Sequence, residues 1–475
     1  MKLKGSLFRG AQGQNYLFPF ILVTSLFALW GFANDITNPM VAVFKTSLLL
    51  TNTKSALVQS AFYGGYCFMA IPAALFIRRF NYKKGVLVGL GLYAVGCLLF
   101  LPAGNLLSFW AFLFAYFVMT CGLSFLETTS NPYILAMGTE KNATRRLNFA
   151  QAFNPMGSLT GMMIASQVIL TKIEKNDYNA LDLLQQRNAD AATAIDTAKP
   201  FGETVRAALQ QTDPTALLQV QRTDMDIVSG PYLILGIVVL CFFLFFFIAR
   251  LPKITAAEGK TYTLKQTLNI LFSNKQYLWS VLAQAFYVGV QIMVWTFIIQ
   301  YAEKELGMPK AMAQKFNMVA MATFVTFRFI CTFLLKYIRA SRLLAVLAVG
   351  GGLFILGAIF LPNAPYVDGQ YLAPYWGLYS LMLVSACMSL MFPTIYGIAL
   401  DGMGDEAKLA SSGLILAIGG GCIMPPLQGF LMDNGTWFGN LLSSTRLSFV
   451  LPLLCFVFIA IFGWWVEHDR KRAAL

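Results

Sequence analysis

Hydrophobic residues along this chain form about twelve long runs, separated mostly by short polar segments. Each run has close to the ~20 residues that cross the hydrocarbon core of a bilayer as an α-helix. Two longer polar segments, at 172–228 and 251–275, interrupt the series. The pattern predicts an all-α membrane protein with twelve transmembrane spans, which we number in chain order. The predicted spans are 17–44, 55–79, 84–103, 107–136, 146–171, 229–249, 277–302, 309–336, 342–361, 375–399, 409–432 and 447–466.

The composition excludes a soluble enzyme. Of the 475 residues, 57% are hydrophobic and 12% are charged, whereas soluble proteins carry roughly 25% charged residues. The first apolar run, which begins near Tyr16, is too long and too aromatic for a cleaved signal peptide. We therefore expect this run to stay in the mature protein as span 1.

The formal net charge of +13 reports the orientation of the chain in the membrane. Lys and Arg cluster in every second connection, as at 78–84 and 336–342, and they do not form the continuous basic face of a nucleic-acid-binding protein. By the positive-inside rule, both termini are expected in the cytoplasm, which requires an even number of spans. We expect no nucleic-acid partner, and we expect the protein to contact the lipid bilayer.

The two halves of the chain resemble each other. The basic connection after span 2, at 78–84, has a counterpart after span 8, at 336–342, and spans 4 and 10 align so that Glu127 corresponds to Phe392. The predicted organisation is an N-terminal bundle at 1–171 and 229–250, an extracytoplasmic insertion at 172–228, a cytoplasmic linker at 251–275 and a C-terminal bundle at 276–475. Duplicated six-helix bundles are typical of secondary transporters, whose substrate lies near the middle of the membrane.

The insertion at 172–228 has two interpretations. Its residues from Ala192 to Leu218 place apolar side chains at helical spacing, which favours a small helical flap over one mouth of the pathway. The alternative is a disordered insertion without a role in transport.

Catalytic and metal sites are not expected. All eight cysteines lie inside apolar spans without a C-x-x-C pair, and the single histidine, His468, lies at the end of span 12. A hydrolase would need a Ser/His or His/Asp cluster, and a sensor would need a large cytoplasmic output domain. We therefore expect neither an enzyme nor a bound cofactor.

Two acidic residues, Asp35 in span 1 and Glu127 in span 4, lie well inside predicted helices. A carboxylate in the membrane is energetically costly and is usually functional. Burial in a medium of low dielectric constant raises the pKa of a carboxyl group, which lets it bind and release a proton near neutral pH. Both residues are candidates for proton coupling, and a hydrogen bond between helices is the structural alternative.

Amide and aromatic side chains predict a sugar site. Sugars need many hydrogen-bonding groups and an apolar ring for their C–H surface, and amides both donate and accept without fixed charge. Any single aromatic, Trp295 for example, could instead pack against lipid or core. Arg328 is a basic residue inside span 8, about two helical turns from the cytoplasmic end. We expect it to have a structural or gating role. The N-terminal candidates are Asn34, Asn38, Gln59, Asn131, Gln151 and Asn154, and the C-terminal ones are Gln284, Tyr287, Gln291, Trp295, Phe392 and Tyr396.

Several motifs resemble those of the major facilitator superfamily, and specifically its fucose permease branch of bacterial fucose–proton and glucose/galactose symporters. The resemblance covers nearly all of the chain except 172–228. It is carried by Leu29-Trp30 with Ala33-Asn34, Gln59 to Tyr66, Leu126 to Thr128 with Asn131-Pro132, Arg146 to Asn154, Ala283-Gln284, Tyr287 to Gln291, Pro393 to Ile395 and Gly419 to Gly421.

The resemblance implies roles for particular residues. The family's proton-exchanging glutamate matches Glu127, and the glutamine and asparagine that line its sugar site match Gln151 and Asn154. The helix 1 aspartate of the fucose permease falls on Asn38, while Asp35 occupies a position where that permease has asparagine. Because three residues advance a helix by about 4.5 Å, we expect Asp35 to take the displaced role.

The expected activity is proton-coupled import of a monosaccharide by a monomer, with L-fucose as the first choice and glucose or galactose as the alternative. Na⁺ coupling is a second interpretation, because an Asp–Asn cluster offers the hard oxygen ligands that Na⁺ prefers.

Overall fold

The computed structural model describes residues 15–137, 146, 149–151, 153–197, 201–249, 273–335, 337–362, 375–400, 413–434 and 442–473. Helices occupy all twelve predicted spans within these ranges, which confirms the all-α membrane fold. Eleven helical stretches are long and apolar enough to cross a membrane, and the predicted span at 309–336 forms the helix Lys310–Leu334. The predicted linker at 251–275 lies outside the described residues up to residue 272.

Several spans consist of more than one helix. In the first half the helices are Leu17–Thr37 with Met40–Ser47 (span 1), Asn52–Arg79 (2), Tyr82–Leu98 with Phe100–Asn105 (3), Phe109–Ala136 (4), Phe153–Ile164 with the π-helical turn Ala165–Leu170 (5) and Pro214–Ile248 (6). In the second half they are Lys275–Leu306 (7), Lys310–Leu334 (8), Ala340–Phe360 (9), Trp376–Met388 with Met391–Leu400 (10), Ala417–Gly419 with Gly420–Asn434 (11) and Ser444–Ser448 with Val450–Ala473 (12).

Two spans that the hydrophobic pattern predicts as single segments are broken. Span 1 is interrupted at Asn38 and Pro39, because proline has no amide hydrogen for the helical ladder and disfavours helical geometry in the residue before it. Span 10 is interrupted at Ser389 and Leu390. Each break leaves main-chain groups inside an apolar segment without helical partners.

The described chain divides into two compact units. The first comprises the described residues within 1–37, 64–164 and 228–261. Within it, spans 1 and 5 approach so closely that a Cβ atom on Gly157 would lie 1.9 Å from the carbonyl oxygen of Ala28. Spans 3 and 4 also meet at a glycine, since a Cβ atom on Gly122 would lie 2.4 Å from the Tyr93 nitrogen. Small residues thus set the close helix packing that is common in membranes.

The second unit comprises residues 38–63, 165–227 and the C-terminal half. Within it, spans 7 and 11 approach as spans 1 and 5 do, because a Cβ atom on Gly420 would lie 1.9 Å from the carbonyl oxygen of Ala285. Spans 1 and 7, and spans 5 and 11, are therefore equivalent members of the two halves. This equivalence agrees with the internal repeat in the sequence.

The described residues of the insertion are helical, as the first of its two interpretations expects, and its position over a mouth of the pathway stays a prediction. Span 5 continues through the helix Thr171–Arg187, and span 6 begins at Pro214, well before the predicted residue 229. Between them lie the helices Ala189–Thr193 and Gly202–Thr212. The predicted span ends and the observed helix ends differ because the hydrophobic pattern indicates only where the chain becomes polar. The helices of spans 5 and 6 continue into the polar segment. Apolar side chains give the insertion a core of its own, formed by Ala180, Leu184, Ala192, Phe201, Val205, Leu209, Ala216, Leu217 and Val220.

A fully buried arginine, Arg206, holds the insertion together. Its guanidinium group pairs with the carboxylates of Asp177 and Asp224, the latter at 2.7 Å, and donates to the carbonyl oxygen of Gly202 at 3.0 Å. Burial by itself lowers the pKa of Arg206, but the two carboxylates outweigh it and hold the pKa above its ordinary value. The network links the extensions of spans 5 and 6 to the helix Gly202–Thr212.

Candidate functional site

Glu127, the predicted proton-coupling residue of span 4, is partly exposed. The neighbouring face of span 4 is fixed against span 3, where Leu126 packs at Gly89 and Thr129 packs at Gly85. Within the described residues, no hydrogen bond or ion pair engages the Glu127 carboxyl group. The carboxyl group is thus neither sealed in the core nor neutralised by a permanent cation of the described chain, as a proton-exchanging group requires.

Amides surround the same face of the first unit. Asn131 lies one helical turn after Glu127, and its Oδ1 atom accepts a hydrogen bond of 3.4 Å from Nε2 of Gln151. Gln151 is exposed, while Asn154 is half-buried and donates to the carbonyl oxygen of Phe27 at 3.4 Å. The structure therefore brings together Asn131 and Gln151, which are twenty positions apart, on the side of span 4 that carries Glu127.

Of the remaining predicted residues of span 1, Asn34 and Asp35 precede its break and Asn38 lies at it. Asp35 is 4% exposed. The carbonyl oxygen of the Asn34 side chain is buried without a hydrogen-bond partner among the described residues. Asn38 lies in the second unit, where its Oδ1 atom accepts from Nε2 of Gln59 at 3.1 Å. The same nitrogen of Gln59 donates to the Thr296 hydroxyl at 3.0 Å, so Gln59 on span 2 connects the break of span 1 to span 7.

Three predicted aromatics form one group in the second unit. The ring centroids of Tyr287 and Phe392 lie 6.1 Å apart, and those of Phe392 and Tyr396 lie 6.3 Å apart with nearly parallel planes. Phe392 and Tyr396 are partly exposed, so their rings offer a stacking surface. Gln291 is also partly exposed, whereas Gln284 is fully buried and both atoms of its amide lack partners among the described residues.

Other predicted residues already have structural hydrogen bonds. The Tyr287 hydroxyl donates to the carbonyl oxygen of Met388 at 3.1 Å, and Nε of Arg328 donates to the carbonyl oxygen of Ser389 at 3.2 Å. Both acceptors lie at the break of span 10, so spans 7 and 8 satisfy main-chain groups that the break exposes. The buried indole N–H of Trp295 donates to the Ser385 hydroxyl at 3.1 Å. This geometry places Trp295 between spans 7 and 10.

The sequence analysis missed a second set of buried amides and two acids at span ends. Gln300, Gln314 and Asn317 are almost fully buried in spans 7 and 8, and each keeps at least one polar atom without a partner among the described residues. The signal was present, because an amide inside an apolar run also needs a hydrogen-bond partner there. Asp433 and Glu174 looked like ordinary acids at the ends of spans, and only their contacts distinguish them.

Comparison with known proteins places this geometry in a family. A model of the Major Facilitator Superfamily matches residues 23–173. The L-fucose-proton symporter of Haemophilus influenzae is 49% identical over 451 residues, which cover 95% of this chain and 97% of that protein. The glucose/galactose transporter of Brucella abortus is 27% identical over 452 residues, covering 95% and 94% of the two chains.

A solved structure of similar fold is that of FucP, a Major Facilitator Superfamily transporter in the outward conformation. The two chains superpose with a TM-score of 0.66 at 30% sequence identity, covering 95% of this chain and 99% of FucP. The similarity extends through both halves of the molecule.

Proposed function

Because this chain belongs to the major facilitator superfamily and to its fucose permease branch, we propose that it imports L-fucose together with a proton. The observation that carries the proposal is the Glu127 carboxyl group, which lies inside span 4 next to the Asn131–Gln151 pair without an ionic partner among the described residues. The relative that is 49% identical is named an L-fucose-proton symporter. The sugar is transported without chemical change.

Glu127 is the proton carrier in this proposal. A carboxyl group without a fixed cation beside it exchanges its proton with whatever water and solute reach it, and its charge changes with each exchange. Protonation removes a negative charge from the polar face of the first unit. Asp35, buried in span 1, is proposed as a second titratable group in the same unit.

The amides of the first unit bind the sugar hydroxyls in this proposal. Asn131, Gln151 and Asn154 each present an acceptor and donors, and the exposed Gln151 is the most accessible of them. Asn34 adds a buried carbonyl oxygen that no described residue satisfies. The aromatic group of Tyr287, Phe392 and Tyr396 is a separate candidate for stacking, which its own substitutions test.

Coupling follows from linkage. A ligand shifts a conformational equilibrium only by its difference in affinity for the two states. Symport therefore requires that proton binding at Glu127 raise the affinity for sugar and that sugar raise the affinity for the proton by the same factor.

Orientation and localisation belong to the same proposal. The basic connections support a proposed orientation with both termini in the cytoplasm and the insertion outside. The similarity to bacterial symporters supports the inner membrane as the proposed location. A monomer is proposed, as the resemblance to the superfamily implies.

A second candidate function is transport of glucose or galactose, coupled to a proton or to Na⁺. The glucose/galactose transporter of Brucella abortus, 27% identical to this chain, favours it. The 49% identity to a fucose symporter makes fucose the stronger candidate.

The test measures sugar and proton together. Weakly buffered, de-energised cells that express the protein receive L-fucose, D-glucose or D-galactose while a pH electrode records the medium. The proposal expects alkalinisation on L-fucose addition, in Na⁺-free medium, that a protonophore abolishes. Alkalinisation with glucose or galactose but not with L-fucose would favour the second candidate function. Uptake that requires Na⁺ and is unaffected by the protonophore would overturn proton coupling.

A further inference from the structure

The last turn of span 11 is hydrogen-bonded to the first residues of span 2. Asp433 Oδ1 accepts from the main-chain nitrogen of Asn52 at 3.0 Å and from its side-chain amide at 2.6 Å. Asp433 Oδ2 accepts from the main-chain nitrogen of Thr53 at 2.8 Å and from its hydroxyl at 2.6 Å. One carboxylate from the C-terminal half thus binds the start of a helix from the N-terminal half, within the second unit.

A second carboxylate makes the converse contact. Glu174, on the extension of span 5, accepts a hydrogen bond of 2.6 Å through Oε1 from the main-chain nitrogen of Ala311 at the start of span 8. The Ser166 hydroxyl, from the π-helical turn of span 5, donates to the carbonyl oxygen of Ala311 at 3.1 Å. Here the N-terminal half supplies the carboxylate and the C-terminal half supplies the helix start.

The two contacts are related by the internal repeat. Spans 5 and 11 are equivalent, as their glycine contacts with spans 1 and 7 show, and spans 2 and 8 end in equivalent basic connections. Asp433 on span 11 binding span 2 and Glu174 on span 5 binding span 8 are therefore the same arrangement made twice. Both lie at the helix ends on the side of the insertion, which we call the insertion side.

The chemistry suits a contact that forms and breaks in each cycle. The amide groups in the first turn of a helix lack helical partners and carry partial positive charge, so a carboxylate binds them well. Charge-assisted hydrogen bonds are short and directional. Three of the five donors to the two carboxylates are main-chain nitrogens, and the other two are short side chains of the same helix start. They move with their helix as a body, so a small shift of the helix end breaks them together.

We propose that Asp433 and Glu174 are paired latches that hold the insertion side of the carrier closed. Each latch joins one half of the chain to the other, and both release whenever the carrier opens towards the insertion side. The latches set the balance between closed and open states without contacting the sugar. The inference therefore holds whichever sugar is carried.

The test uses a buried reporter behind the latches. Thr296 is fully buried in the second unit, and Thr296→Cys reacts with a membrane-impermeant maleimide only when this region opens. The reagent is applied to right-side-out and to inside-out vesicles, so the result does not depend on the orientation of the chain. The same protein without Thr296→Cys gives the background from the eight native cysteines.

Asp433→Ala and Glu174→Ala are each expected to raise the labelling rate from the insertion side about fivefold or more, as loss of a charge-assisted hydrogen bond predicts. Because the two latches lie on different helix pairs, the double variant should raise the rate by roughly the product of the single effects. Glu305→Ala is the matched control, since Glu305 bonds Arg446 and Ser443 within the C-terminal half alone. It should leave the rate unchanged.

Asp433→Asn keeps one acceptor oxygen and should give a labelling rate between those of the parent and Asp433→Ala. It tests the Asp433 latch if the alanine variant does not reach the membrane. The proposal is overturned if the latch variants, present at normal abundance and with normal thermal unfolding, label at the parental rate. It is equally overturned if Glu305→Ala raises the rate as much as they do.

Discussion

The hydroxyl group of Tyr287 in span 7 donates a hydrogen bond to the carbonyl oxygen of Met388, 3.1 Å away, where span 10 is broken. Arg328 from span 8 donates to the adjacent carbonyl oxygen of Ser389. Together these side chains replace the helical hydrogen bonds that the break removes. Spans 7 and 8 therefore supply donors to main-chain oxygens that the break and Pro393 leave without helical partners.

Replacement of Tyr287 by phenylalanine should lower the free energy of unfolding by about 1 kcal/mol, because the Met388 carbonyl oxygen loses its donor in a buried setting. Thermal unfolding of the detergent-purified protein measures the effect. Tyr178→Phe, at an exposed tyrosine of the insertion, is the control and should unfold as the parent does. Equal unfolding temperatures for Tyr287→Phe and the parent would show that the bond is not structural.

Glu127→Gln should abolish uphill sugar accumulation while leaving exchange of internal for external sugar. The amide keeps the shape of the side chain but does not titrate, so the protonated form of the carrier is mimicked permanently. Accumulation under a proton gradient and counterflow without one are measured side by side. Asp182→Asn removes an exposed carboxylate of the insertion and should leave both unchanged; unchanged accumulation in Glu127→Gln would refute the assignment.

Gln151→Ala should raise the KM for sugar about fivefold or more, because one hydrogen bond to the substrate and the contact with Asn131 are both lost. Expression and thermal unfolding should stay normal, since Gln151 is exposed. Initial uptake rates over a range of sugar concentrations measure the KM. Gln211→Ala, an exposed glutamine of the insertion, is the control. A KM equal to that of the control would remove Gln151 from the site.

Gly157→Ala should lower the free energy of unfolding by about 1–3 kcal/mol, because the new Cβ atom would overlap the Ala28 carbonyl oxygen and main-chain atoms cannot rotate away. Gly420→Ala makes the equivalent change in the other half. Gly397→Ala is the control, since no heavy atom lies within 4 Å of a Cβ atom at that helical position. Both tight variants should unfold at lower temperature than Gly397→Ala does.

Arg206→Leu should destabilise the insertion by about 3–5 kcal/mol, because the carboxylates of Asp177 and Asp224 stay buried without their cation. Limited proteolysis should then cut the insertion faster. Arg222→Leu, at an exposed arginine of the insertion, should be cut at the parental rate. Similar cutting of both variants would mean that the ion cluster does not stabilise the insertion.

The fold followed from the sequence where one physical quantity dominates. Apolar run length determines where a helix crosses a bilayer, so all twelve spans were placed. The break at Asn38 and Pro39 carried a signal in the proline, which span length alone does not use. The break at Ser389 carried a similar signal in Pro393, which has no amide hydrogen for the carbonyl oxygen of Ser389 four residues earlier. The side chains that satisfy the break, Tyr287 and Arg328, were not predictable, because they lie 101 and 61 positions away.

The sequence predicted which residue types the candidate site contains, but only part of how those residues are arranged. A carboxyl group inside an apolar run identifies Glu127 by its energetic cost alone. Spacing along one helix placed Asn131 a turn from Glu127, but the contact of Asn131 with Gln151 depends on how spans 4 and 5 pack. For the same reason, nothing in the sequence distinguished Asp433 or Glu174 from acids that simply face water.

The folded insertion also changes how this molecule can be imaged. A chain of 52.5 kDa surrounded by detergent usually offers few features by which single particles can be aligned in an electron micrograph. The ion-paired, apolar core around Arg206 gives the insertion a defined fold, which is a feature that particle alignment can use. An antibody fragment raised against the helix Gly202–Thr212 would enlarge that feature without covering the membrane spans.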